Sequence, residues 1–244
     1  MKKILVIGES CLDVFHYGAC ERLAPDGPVP VFNSVSFNSS GGMAMNVFNN
    51  LAVFTEHVDI YTNKNWRQIK KTRFVEEKSN HMFIRLDEND DQYGRANLND
   101  IDFSEYGAVV VSDYNKGFLT EEDLLQISES HDKTFLDTKK TLGEWCKKFM
   151  FIKINGPEYD KTKHLIDEET RRILIVTQGS DGCFHMDKKY EVPLVEVRDV
   201  SGAGDTFLSG FSYKFIETGD FDSSVYFANE CATKVVQKRG VSTV

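Results

Sequence analysis

The sequence predicts an α/β fold: a central, mostly parallel sheet flanked by helices, with a small antiparallel β-lid. Short Val- and Ile-rich runs alternate with helix-length amphipathic stretches along most of the chain, the rhythm of strand–helix–strand units. The runs are apolar throughout rather than alternating, which suits strands covered on both faces. Two regions break the rhythm with residue-by-residue alternation, the pattern of strands that keep one face in water.

The runs at 4–7, 58–61, 108–112, 134–136, 150–154 and 173–177 are bounded by Gly, Asp or Asn and read as the strands of the main sheet. Helical patterns lie between them at 43–54, 121–130 and 157–166, and two more close the chain at 203–217 and 223–237. Thr120 followed by Glu121, Glu122 and Asp123 reads as an N-cap with acidic residues in the first turn. The exceptional regions, about 13–38 and 69–87, carry alternations such as Val29-Pro30-Val31-Phe32 and Phe83-Ile84-Arg85-Leu86-Asp87. They predict lid strands standing apart from the main sheet within a single domain, 1–244. An exposed apolar lid face needs a cover, and a second copy of the chain would supply it, so a homodimer is expected.

Composition narrows the function classes. The 244 residues carry 29 basic and 38 acidic side chains, a net charge of −9, with 41% hydrophobic and 27% charged residues. That acidic balance opposes nucleic acid or an acidic membrane as partner, since both attract a basic face. Five cysteines (Cys11, Cys20, Cys146, Cys183, Cys231) without a C-x-x-C pair argue against a disulfide framework or zinc ribbon. The basic start Met1-Lys2-Lys3 leads into only four apolar residues before Gly8-Glu9, too few for a signal peptide. A cytoplasmic location with reduced thiols is expected.

The chemistry concentrates in Asp199-Val200-Ser201-Gly202-Ala203-Gly204-Asp205-Thr206-Phe207. Gly202 and Gly204 remove side chains where backbone must bend and approach a ligand. Phe207, Leu208, Phe211 and Phe215 follow at helical spacing, so Gly202, Ala203 and Gly204 open a helix. Its first N–H groups and its dipole suit an anion such as a transferring phosphoryl group. Asp205, at the mouth of that nest, is placed to take a proton from an attacking hydroxyl. Taken alone, the segment fits equally a plain glycine turn in which Asp205 caps the helix. Neither a Walker A motif nor G-x-G-x-x-G is present.

D-V-S-G-A-G-D-T-F resembles the C-terminal signature of the ribokinase (PfkB) family of sugar kinases, and other segments follow in that family's order. Gly41-Gly42 with Asn46 resembles its glycine-pair motif, and Asp13 matches its sugar-hydroxyl-binding aspartate. Asn155-Gly156-Pro157-Glu158 matches its N-x-x-E element, and Thr177-Gln178-Gly179 its nucleotide-side strand and turn. Arg22–Val31 (positions 22–31), Ile84-Arg85-Leu86-Asp87, Ser112-Asp113-Tyr114-Asn115-Lys116-Gly117 and the closing 239–244 are similar to one branch, the D-glycero-D-manno-heptose 7-phosphate kinase domain of lipopolysaccharide precursor synthesis.

The resemblance implies a ribokinase-like fold and an ATP- and Mg²⁺-dependent kinase, with a monovalent cation as a further option. It implies that Asp13, Gly41, Gly42 and Asn46 hold the sugar and that Asp205 is the base. Asn155 and Glu158 would arrange magnesium, Glu158 through water, and Thr177, Gly179 and Asn229 would border the nucleotide. A sugar already phosphorylated at its far end needs a second phosphate subsite, for which Lys71, Arg73, Arg85 and Lys116 are candidates.

The sequence also departs from the family. Only 26 residues, 47–72, separate Asn46 from Arg73, where relatives carry a further strand–helix segment, and Glu9-Ser10 replaces an aspartate and an apolar residue. The nucleotidyltransferase half of bifunctional relatives is expected to be absent. A kinase for another sugar or a nucleoside, or a non-catalytic sugar-phosphate-binding protein, are the alternatives.

Overall fold

In the computed structural model, which describes residues 2–244, the first apolar run forms β1 (Lys3–Gly8). Next come β2 (Leu12–Leu23), β3 (Pro30–Ser40), α1 (Ala44–Phe54), β4 (Val58–Tyr61), β5 (Lys70–Glu76) and β6 (Met82–Glu88). The middle of the chain gives β7 (Tyr106–Asp113), α2 (Glu121–Ser130), β8 (Thr134–Thr138), β9 (Phe151–Asn155), α3 (Gly156–Thr162), α4 (Glu168–Ile173) and β10 (Leu174–Thr177). A hairpin of β11 (Cys183–His185) and β12 (Lys188–Tyr190) precedes α5 (Ala203–Thr218) and α6 (Phe221–Val235).

The main sheet runs β12-β11-β10-β9-β8-β7-β1-β4. It is parallel from β10 to β4, and antiparallel only at the β10–β11–β12 edge. β1 shows why continuous apolar runs form this layer: Leu5 and Ile7 pack into the core on one face, Ile4 and Val6 into the core on the other. α1, α5 and α6 cover the second face through Val47, Leu51, Phe207, Phe211 and Val225, while α2 covers the first through Leu124 and Ile127.

The helix expected at 157–166 is interrupted. α3 ends at Thr162, and Asp167 caps a separate helix by accepting the Thr170 N–H. The β11–β12 hairpin is absent from the sequence reading because its strands are three residues each, too short for a periodicity to register.

The lid is a four-stranded sheet in the order β3-β2-β5-β6. Its outer pairs are antiparallel, whereas β2 and β5 at its centre run parallel. The chain leaves the lid through α1 and β4 before returning as β5, and such a crossover permits parallel pairing. Register sorts the lid's faces. Asp13, Lys71 and Asp87 are aligned across β2, β5 and β6, with Phe15, Arg73 and Arg85 two residues on. The intervening residues Phe37, His16, Phe74 and Ile84 form a row on the opposite face, where Phe37 is 70% and Ile84 60% exposed.

Candidate active site

Parallel sheets bind ligands beyond the carboxyl ends of their strands, where strand order reverses. Here that point lies between β1, which leads to β4 on one side, and β7, which leads to β8 on the other. Glu9, Tyr114 and Lys139 follow directly on β1, β7 and β8, and Asn155 and Thr177 are the last residues of β9 and β10. The N-terminus of α5 adjoins the same edge: Tyr114, Asp137, Lys139, Lys153, Gly204 and Asp205 line one polar pocket.

Gly202 is the N-cap of α5 with φ +79° and no side-chain cap. The Ser201 N–H donates to Asp199 Oδ1 (2.8 Å) and that of Ala203 to the Val200 carbonyl (3.2 Å). Of the amides expected to meet an anion here, those of Ser201 and Ala203 are therefore engaged, and the first-turn amides of Gly204 and Asp205 remain. A Cβ at Gly204 would lie 2.7 Å from Lys153 Nζ, so a side chain there would displace the tip of that lysine.

Asp205 is 4% exposed. Asn46 Nδ2 donates to its Oδ2 at 2.8 Å, and the Tyr114 hydroxyl to its Oδ1 at 3.0 Å. Burial raises its pKa to about 6, with nearby Asp137 adding to the rise and Asn46, Lys153 and Tyr114 opposing it. Such a carboxylate is ionised at neutral pH yet basic enough to accept a proton. Plain capping leaves this arrangement unexplained, since the side chain meets donors from α1 and the turn after β7 rather than its own helix.

Four residues of this pocket were not identified from sequence: Tyr114, Asp137, Lys139 and Lys153. Asp137 and Lys153 face each other across β8 and β9 and form a buried pair at 2.7 Å. Lys153 carried a signal, a single charge inside the apolar run 150–154, whereas Asp137 stands one residue past the run 134–136 and joined β8 only in the structure. Lys139 pairs with Glu158 and lies 5.2 Å from the Tyr114 ring centroid.

On the lid side, Asp13 is buried and paired with Arg73. A Cβ at Gly42 would stand 3.2 Å from Asp13 Cβ, and one at Gly41 2.4 Å from Met45 Cγ, so both glycines serve close approach. All four candidate phosphate-binding cations are brought together, and all four already have carboxylate partners. Lys71 pairs with Asp90 and, at 3.5 Å, with Asp87; Lys116 pairs with Asp90 at 2.5 Å. Arg85 holds Asp87 with two bonds of 2.8 and 3.0 Å. Burial works to raise the pKa of Asp90, but hydrogen bonds from Lys116, Lys71 and Tyr93 bring it down to about 2.

Thr177, Gly179 and Asn229, expected to border a nucleotide, line an open cleft with Val195, Phe207 and Val236. Its apolar walls suit a flat base. Asn155 and Glu158 form a capping box at the start of α3: Asn155 Oδ1 accepts the Glu158 N–H (2.9 Å) and Glu158 Oε2 accepts the Asn155 N–H (2.8 Å). Glu158 Oε1 takes Asn155 Nδ2 and Lys139, so this carboxylate is heavily committed.

Among the described residues, no three His, Cys, Asp or Glu side chains converge as a metal cage. Asp137 Oδ1, however, is buried without a hydrogen-bond partner. Mg²⁺ keeps several waters and takes one or two carboxylates, a demand that Asp137, with Glu158 beyond Lys139, fits. No helix among the described residues is long and apolar enough to cross a membrane.

This site can be compared with known proteins. The chain is 29% identical over 292 aligned positions to the bifunctional protein HldE of a Nitratiruptor species, covering 99% of this chain and 63% of that protein. It is 29% identical over 297 positions to HldE of Helicobacter pylori (strain J99), covering 98% and 64%. The chain thus spans less than two thirds of these relatives, and the alignments are longer than its 244 residues. The relatives therefore carry residues with no counterpart here.

Among solved structures, Thermotoga maritima ribokinase superposes with a TM-score of 0.73 at 15% identity, covering 99% of this chain and 95% of that one. The Methanocaldococcus jannaschii nucleoside kinase gives 0.71 at 19% identity, covering 99% and 93%. Both establish a ribokinase-like fold. The sequence profile described as pfkB family carbohydrate kinase matches residues 60–244, about three quarters of the chain. That span contains the α5 glycine turn, the buried Asp205 and the cleft lined by Thr177, Gly179 and Asn229, and the chain belongs to the pfkB family of carbohydrate kinases.

Proposed function

We propose that this carbohydrate kinase uses ATP to phosphorylate the C1 hydroxyl of a sugar phosphate such as heptose 7-phosphate, with Asp205 as general base. The observation that carries the reading is the placement of Asp205. It is a buried carboxylate in the first turn of α5, held by donors on both oxygens and linked through Asn46 to the glycine-pair helix. The similarity to HldE supports a heptose phosphate as the substrate class.

In this mechanism Asp13 and Gly42 receive the sugar hydroxyls. Asp205 takes the proton of the attacking hydroxyl as its oxygen bonds the γ-phosphorus, and the bond to the β-phosphate oxygen breaks with its electron pair leaving on ADP. The Gly204 and Asp205 N–H groups and Lys153 stabilise charge on the transferring group. Asp137, and Glu158 through water, would hold Mg²⁺, which neutralises phosphate oxygens when bound. Exposed Phe37 and Ile84 on the lid's outer face suit a homodimer.

The ion pairs favour a second reading. Lys71, Arg73, Arg85 and Lys116 are balanced by Asp13, Asp87 and Asp90, leaving one surplus positive charge. A phosphate must exchange for these carboxylates, whereas a neutral sugar or nucleoside breaks no pair.

ADP release from ATP and Mg²⁺, measured with heptose 7-phosphate beside the Asp205→Asn variant, tests both readings. The first expects sugar-dependent release that falls about 10²-fold or more in the variant, with phosphorus NMR locating the new phosphate at C1. Release with a neutral sugar or nucleoside alone would move the assignment to the second. Silence across a sugar panel, with ATP still bound, would leave a binding protein.

A further inference from the structure

Glu9 has no exposed surface and forms no ion pair among the described residues. Its Oε2 accepts the Tyr114 N–H and its Oε1 the Lys116 N–H, both at 2.9 Å. Burial raises its pKa, and neighbouring Asp113 adds to the rise. A buried carboxylate without a cation is costly to keep, so what it fixes is informative.

It fixes the turn after β7. Asn115 there adopts φ +55° and Gly117 φ +89°, and the Asn115 N–H donates to Asp113 Oδ1 at 3.1 Å. The two anchored residues then project to opposite ends of the site. Tyr114 reaches Asp205 Oδ1, and Lys116 reaches Asp90. Asn46 holds the other oxygen of Asp205 from α1. One donor on each oxygen, from separate elements, fixes both the plane and the rotation of the carboxylate. The remaining lone pairs are left for the substrate hydroxyl.

We propose that Tyr114, seated by the Glu9 carboxylate, is a positioning residue that aims the Asp205 base at the reacting hydroxyl. This rests on the reading of Asp205 as general base. Tyr114 acts through orientation. It touches no reacting atom other than through Asp205, and its hydroxyl stays protonated because burial, with Asp205 and Asp137 close by, holds its pKa well above the usual phenol value.

The test is a mutant cycle of the wild type, Y114F, D205N and Y114F/D205N, with E9Q alongside. Steady-state kcat and KM are measured with ATP, Mg²⁺ and whichever of heptose 7-phosphate, fructose 6-phosphate, ribose or adenosine the wild type turns over best. Y114F is expected to lower kcat roughly tenfold, within the range a misaimed catalytic group costs. Its KM for ATP and sugar should stay within about twofold, a split that general destabilisation does not produce. In the D205N background the same change should have no further effect, because the group it aims is gone. E9Q sets an amide N–H against one of the two backbone N–H donors and should reproduce the loss in kcat.

Wild-type kcat in Y114F beside a crippled D205N would overturn this inference and leave the base reading intact. So would an additive loss in the double variant, or a raised sugar KM with kcat preserved. Wild-type turnover in D205N, or no turnover by the wild type on any of the four substrates, would overturn the base reading and the inference together.

Discussion

Gly202→Ala probes the link between the glycine turn and Asp205, the proposed base. The φ of +79° puts the substituted residue in the left-handed region, at about 1 kcal/mol for a residue bearing a Cβ. The added methyl would also stand 2.5 Å from Asn46 Nδ2. Ordinary contact requires a retreat of about 1 Å. That stretches the 2.8 Å Asn46–Asp205 bond beyond hydrogen-bonding distance. A bond to a charged group contributes about 1.5–3 kcal/mol, so the total loss of stability is expected at about 2.5–4 kcal/mol.

Gly219→Ala is the control. Its φ of +69° is similar, but a Cβ there meets nothing within 4 Å, so only the backbone cost of about 1 kcal/mol applies. Urea unfolding gives both stabilities, and ADP release gives turnover. Turnover should fall about 10²-fold in Gly202→Ala, where the base loses a fixed donor, and stay at wild-type level in Gly219→Ala. Equal stability losses with full turnover in both would refute the coupling of turn, Asn46 and Asp205.

The kcat/KM–pH profile should have an acid limb near pH 6, because burial raises the pKa of Asp205 to about 6 and only the ionised form accepts a proton. Activity then falls tenfold per pH unit below that point and levels above it, and a limb near pH 4 would contradict the assignment. Lys153→Met should leave the buried Asp137 carboxylate unpaired and cost about 3–5 kcal/mol in urea unfolding. Adding Asp137→Asn should recover part of that loss, and no recovery would show that the pair is not coupled. Phe37→Asp with Ile84→Asp should halve the mass seen by sedimentation, because both residues face outward on the lid; a monomeric wild type would remove the lid dimer.

Local chemistry alone determined much of this protein. Continuous apolar runs such as 4–7 and 108–112 suit strands covered on both faces, and they are β1 and β7 of the parallel layer. The alternations at 13–38 and 69–87 became the lid, where β2 buries Asp13 and Phe15 but not Val14 between them, while no residue of β3 or β6 is buried. The glycine turn before Asp205 was legible because its requirement is local: a positive φ at Gly202 and a helix start. Tertiary structure decided what those residues meet. Asn46 and Asp205 lie 159 positions apart, and Tyr114 and Asp205 91 apart, so no local pattern could bring them to one carboxylate. The four basic residues were visible as charges, yet their pairing with Asp13, Asp87 and Asp90 depends on lid register and on the turn that Glu9 holds. Composition and spacing specify which groups are present, whereas desolvation and ion pairing depend on which elements close over them.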